Sequence, residues 1–63
     1  MREFVAKNPK QLDICLKLLY AERVGFSVEV CENTKRKIEY KALVDVQEQR
    51  FNELLEKYRI LIS

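Results

Sequence analysis

Apolar and polar residues alternate from Glu3 to Lys7, with Phe4 and Ala6 on one side and Val5 on the other, a period that predicts a short strand. After Pro9 the period becomes helical. Leu12, Cys15, Leu16 and Leu19 recur at steps of three and four, and Ile14 and Leu18 widen that stripe toward a core. Beyond Gly25 the period returns to two: Phe26, Val28 and Val30 alternate with Ser27, Glu29 and Cys31, which predicts a strand covered on its Phe26 side. The same alternation places Ile38, Tyr40, Ala42 and Val44 against Lys37, Glu39, Lys41 and Leu43. With turn residues Asn33, Thr34, Lys35 and Arg36 between them, the two runs predict an antiparallel hairpin. The last segment is an amphipathic helix, with Phe51, Leu54, Leu55, Tyr58, Leu61 and Ile62 on one face. Arg50, Asn52, Glu53, Glu56, Lys57 and Arg59 take the other, and Glu53 and Lys57 are spaced as an exposed pair adding about 0.3–0.5 kcal/mol.

Local signals punctuate these runs. Asn8-Pro9-Lys10-Gln11 has the form of a capping box, and Asp45-Val46-Gln47-Glu48 repeats it before the second helix. Pro9 suits the first helical position, where its missing N–H costs nothing. Gly25 is placed to end the first helix in the left-handed conformation.

The order strand, helix, two strands, helix makes residues 1–63 a single α+β domain, a two-layer βαββα sandwich. The third strand is apolar even at Leu43 on its outer side, which puts it in the centre of a three-stranded mixed sheet of order 1-3-2. A right-handed crossover then sets both helices on one face, the arrangement of a truncated ferredoxin-like fold. Without a fourth strand, strand one is expected to be an open edge, with Val5, Leu43 and Cys31 on the uncovered face. A chain of 63 residues is near the lower limit for a self-sufficient core. These features together predict a homodimer formed through the sheet edge or the bare face.

Twelve basic and ten acidic side chains are spread through the chain, so its net charge of +2 builds no one-signed field. The strongest local concentration is Lys35-Arg36-Lys37, with Lys41 further along the same strand. A basic hairpin tip of this kind is a candidate phosphate contact, although Glu32 and Glu39 flank it. With no histidine and one glycine, the sequence excludes histidine-based catalysis and a Gly-rich phosphate cradle. Two cysteines, Cys15 and Cys31, do not fill a zinc site, and no cofactor is expected. Glu29 and Glu39 are the one candidate acid pair, read as outward-facing surface carboxylates. No run approaches the ~18 apolar residues of a membrane span, and no export signal is recognisable, so the cytoplasm is the expected compartment and the thiols are expected to be free.

Gln11-Leu12-Asp13-Ile14-Cys15-Leu16-Lys17-Leu18-Leu19, followed by Val24-Gly25-Phe26-Ser27-Val28-Glu29-Val30, resembles in pattern a family of short bacterial signal-transducing domains whose activity is not established. The run from Ala42 through Glu48 is similar to their strand entering a C-terminal helix, whereas the longer last helix and basic turn depart from them. The resemblance implies the βαββα order and assigns no residue a role. The leading functional reading is therefore a non-enzymatic protein-binding module, with a nucleic-acid-binding or mobile-element regulator as the alternative, and a short inhibitor of a larger host or phage protein as a third.

Overall fold

The computed structural model describes residues 2–63 and contains β1 (Arg2–Ala6), α1 (Pro9–Ala21), β2 (Phe26–Glu32), β3 (Ile38–Val44) and α2 (Glu48–Ile62). The strands form an open sheet of order β1-β3-β2, the βαββα arrangement read from the sequence. Both pairings are antiparallel, so "mixed" describes only the relation of the two edges, which never touch. Phe4 lies opposite Ala42, and Ala42 opposite Val28; in the next row Ala6, Tyr40 and Val30 align. Directly opposed residues share a face, so this is the helix-side face of the sheet.

The core is built by Phe4, Cys15, Leu18, Leu19, Ala42, Val44, Leu54 and Tyr58. Phe4 anchors α2 to β1, with its ring centroid 4.9 Å from that of Phe51 and 5.7 Å from that of Tyr58 in an edge-to-face contact. The Tyr58 hydroxyl donates to the Val5 carbonyl at 3.4 Å. Burial raises the Tyr58 phenol above its ordinary pKa, with the Cys15 thiol a smaller contributor. Ile60 and Leu61 point outward, so Leu61, read as part of the apolar stripe, lies off the core.

At the start of α1 the Asn8 side chain accepts from the Gln11 N–H at 2.8 Å, and the Gln11 side-chain Oε1 accepts from the Lys7 N–H at 3.0 Å. That is a capping box shifted by one residue on its return arm. The second box does not form. β3 continues to Val44, the chain needs Asp45–Gln47 to turn back, and α2 starts at Glu48 with Gln47 as an N-cap whose side chain makes no capping bond. Val46 and Phe51, at the positions of a hydrophobic staple, both pack on the core and fix the helix entry in its place.

Gly25 is not the left-handed terminator either. Arg23 takes that conformation at φ 57°. Val24 N–H bonds the Leu19 carbonyl at 2.9 Å and Arg23 N–H the Tyr20 carbonyl at 3.1 Å, the two bonds of a Schellman motif with arginine where glycine is usual. The hairpin tip uses the same device. Arg36, at φ 59°, ends a three-residue loop in which Asn33 Oδ1 accepts from the Lys35 and Lys37 N–H groups at 2.9 and 3.0 Å.

α2 is tied to the end of α1 by Glu22, whose carboxylate accepts from Lys57 Nζ and Arg50 Nη2, each at 3.0 Å. Lys57 therefore serves Glu22 and not Glu53, which instead meets Arg50 at 3.6 Å. Hydrogen bonds from Lys57 and then Arg50 hold the Glu22 carboxyl below its ordinary pKa.

Candidate functional site

The helical layer does not cover the sheet evenly. α1 packs over β1 and β3, and α2 packs against α1 on the β1 side, so the helices cover β2 less than its neighbours, and mainly at its Phe26 end. On the helix-side face of β2, Val28 is 40% and Val30 63% exposed; on neighbouring β3, Ile38 is 57% exposed and Tyr40 half-buried. Tyr20 projects from α1 beside this strip and stacks edge-to-face on Phe26 at 5.2 Å. The sequence placed Val28 and Val30 in the core because their alternation is that of a covered face. It carries the face, but not how far the helices reach across it.

Backbone hydrogen bonding makes the same strand the open edge. Asn33 N–H bonds the Lys37 carbonyl at 3.0 Å, which marks that pair as a hydrogen-bonded one. Bonded and non-bonded pairs alternate along an antiparallel ladder, so Cys31, Glu29 and Ser27 turn their backbone groups toward β3. Phe26, Val28, Val30 and Glu32 turn theirs outward, where no other described segment meets them. On β1 the same parity sends the backbone of Val5 and Lys7 outward, and there partners are present: Tyr58 on the Val5 carbonyl and Gln11 on the Lys7 N–H. The edge expected at strand one is thus partly capped by its own chain, and the more open edge is β2.

Val5, Leu43 and Cys31 lie on the face away from the helices, Val5 and Leu43 as diagonal neighbours on adjoining strands and Cys31 on the opposite edge, with charged residues between them. Val5 is aligned with Lys41 and Glu29, Leu43 with Glu3 and Ser27, and Cys31 with Glu39. Leu43 also borders a shallow cleft of ≈ 240 Å³ with Gly25, Phe26, Ser27 and Asp45. Cys31 is half-buried on the outer face, away from that cleft, while Cys15 is buried in the core, and both are free thiols. Burial pushes the Cys15 thiol up to about 11.

Lys35 and Lys37 line a second cleft of ≈ 520 Å³ at the hairpin tip, joined by Lys7 from the end of β1, which the sequence reading did not connect with them. Glu39 enters the same cleft and accepts from Asn33 Nδ2 at 2.6 Å. Arg36 stands at the turn, and Lys41 lies apart on the outer face, 3.8 Å from Glu3. Glu29 is opposite Lys41 and Glu39 opposite Cys31, so the two carboxylates do not face each other across the hairpin. Among the described residues no cluster of three or more His, Cys, Asp or Glu side chains is placed to hold a metal, and no helix is long and apolar enough to cross a membrane. Searches of protein-family models, curated proteins and solved structures find no match to this chain.

Proposed function

We propose that this chain is a non-catalytic protein-binding module that self-associates through the open side of its sheet. The observation that carries the reading is the coincidence, on one strand, of outward backbone donors and acceptors with exposed Val28 and Val30. An added strand gains main-chain hydrogen bonds from such an edge, and alternate side chains supply selectivity. Val5, Leu43 and Cys31 on the other face remain a second contact surface for a partner, divided by charge. A cytoplasmic setting fits two thiols that the fold holds on opposite faces of the sheet. Sedimentation equilibrium up to high micromolar concentration is expected to show a monomer–dimer equilibrium, weakened about tenfold or more by Val30→Lys, because two apolar contacts per dimer are replaced by charge. A stable monomer throughout that range contradicts the proposal.

The second reading, phosphate contact by Lys35, Arg36, Lys37 and Lys41, is favoured by the addition of Lys7 to the tip cleft. Glu39 inside that cleft and the separation of Lys41 weigh against a single basic track. Fluorescence anisotropy with mixed DNA and RNA at low salt is expected to show binding that falls steeply with salt on this reading, and no binding dismisses it.

A further inference from the structure

Resting on the self-association proposed above, we infer a specific joint: β2 pairs antiparallel with β2 of a second copy about a two-fold axis through Val28, giving a continuous six-stranded sheet. Three observations select this register. The first is parity. Outward-facing backbone groups belong to Phe26, Val28, Val30 and Glu32, and a partner strand aligns only where outward residues meet outward residues. Centring on Val28 sets Val28 against its own copy and Phe26 against Val30 of the second copy, each as a hydrogen-bonded pair.

The second observation is charge. The competing register centred on Glu29 has the same parity and a longer overlap, but it places Glu29 directly against its own copy in the closely spaced, non-bonded position. Like charges there are destabilising, and the nearby Lys41 leans to Glu3 at 3.8 Å. In the Val28-centred register Glu29 faces Ser27 of the second copy, whose hydroxyl is a donor to the carboxylate. Centring on Val30 avoids the acid pair but sets Val28 against Glu32.

The third is the match of apolar side chains. With the axis at Val28, Val28 meets Val28 and Phe26 meets Val30, all on the helix-side face. With the axis at Glu29, Val28 meets Val30, but Phe26 meets Glu32, an aromatic ring opposite a carboxylate. A two-fold axis perpendicular to the sheet also keeps both helical layers on one side, so the exposed strips of Val28, Val30 and Ile38 from two copies merge.

Spin labels on single accessible cysteines in a Cys31→Ser background, where the remaining Cys15 is buried, read the register in the full chain. The Val28-centred joint puts the two copies of residue 28 about 5.5 Å apart at Cα, and those of residue 30 about 14 Å apart, four residues of strand rise away. Labels at Val28→Cys are therefore expected to be the closest pair and those at Val30→Cys clearly further. Ser27→Cys, which leaves the apolar strip and Glu29 intact, is expected to give a separation between those two, its copies being about two residues of strand rise apart. Equal separations at 28 and 30, which mark an axis at Glu29, or a minimum at 30 overturn this register, as does a minimum at Val5→Cys. Those outcomes leave self-association standing, whereas labelled protein that stays monomeric at high micromolar concentration removes both readings.

Discussion

At the scale of single residues, the backbone departs from the sequence in places where two neighbouring residues compete for one role. Glycine is the usual left-handed residue, yet Arg23 and Arg36 hold that conformation while Gly25 has no positive φ and no atom within 4 Å of a β-carbon built on it. Helix α1 ends where Val24 reaches the core, and the residue before Val24 must turn whatever its side chain. Gly25→Ala is accordingly expected to leave stability unchanged or raise it by up to about 1 kcal/mol, and Arg23→Gly to raise it by about 0.5–1 kcal/mol, both checked by urea denaturation. The thiols divide in the same residue-by-residue way. With Cys15 buried and its pKa pushed up to about 11, an aromatic disulfide reagent is expected to titrate Cys31 alone in the native chain, and both thiols only after unfolding. Rapid reaction of two thiols in native protein contradicts the burial of Cys15.

At the scale of elements, the periods of two and of about 3.6 located all five segments, because alternating burial leaves a direct mark on sequence. Their ends were legible where one side chain acts locally, as with Asn8, and misread where tertiary packing decides, as with Asp45. Val46 and Phe51 set the start of α2, and Gln47 is left at the N-cap without a side-chain bond. Gln47→Ser supplies the missing acceptor and is expected to stabilise the chain by about 0.5–1 kcal/mol, seen as a higher thermal midpoint. The joint between the helices carries the pH dependence. Because the Glu22 carboxyl is held below its ordinary pKa, its contribution is fully present above the usual carboxylate range and is lost as pH falls through the depressed value. Glu22→Gln is expected to lower the midpoint at neutral pH and to flatten its acid decline; an unchanged acid limb contradicts the ion triad with Arg50 and Lys57.

At the scale of the whole molecule, strand order and the common side of both helices followed from Leu43 and from the handedness of crossovers. The lateral position of the helical layer did not. It depends on Phe4, Phe51 and Tyr58 drawing α2 to the β1 side, a long-range contact that no local period encodes. Local periods therefore point to strand one and the outer face as the candidate surface, and the structure adds the β2 side, where residues patterned for burial stay exposed. Leu54, fully buried between the layers, shows how little reserve a core of this size has. Leu54→Ala is expected to cost about 2–5 kcal/mol, enough to populate the unfolded chain at room temperature in circular dichroism.

The exchange of backbone amides measured by NMR at low and high micromolar concentration tests the central claim most directly. If β2 is the joining edge, the outward amides of Phe26, Val28 and Val30 gain protection as concentration rises, while those of Ser27, Glu29 and Cys31, already bonded to β3, hold steady. Outward amides that exchange at the same rate at every concentration, or protection gained on β1 instead, contradict it.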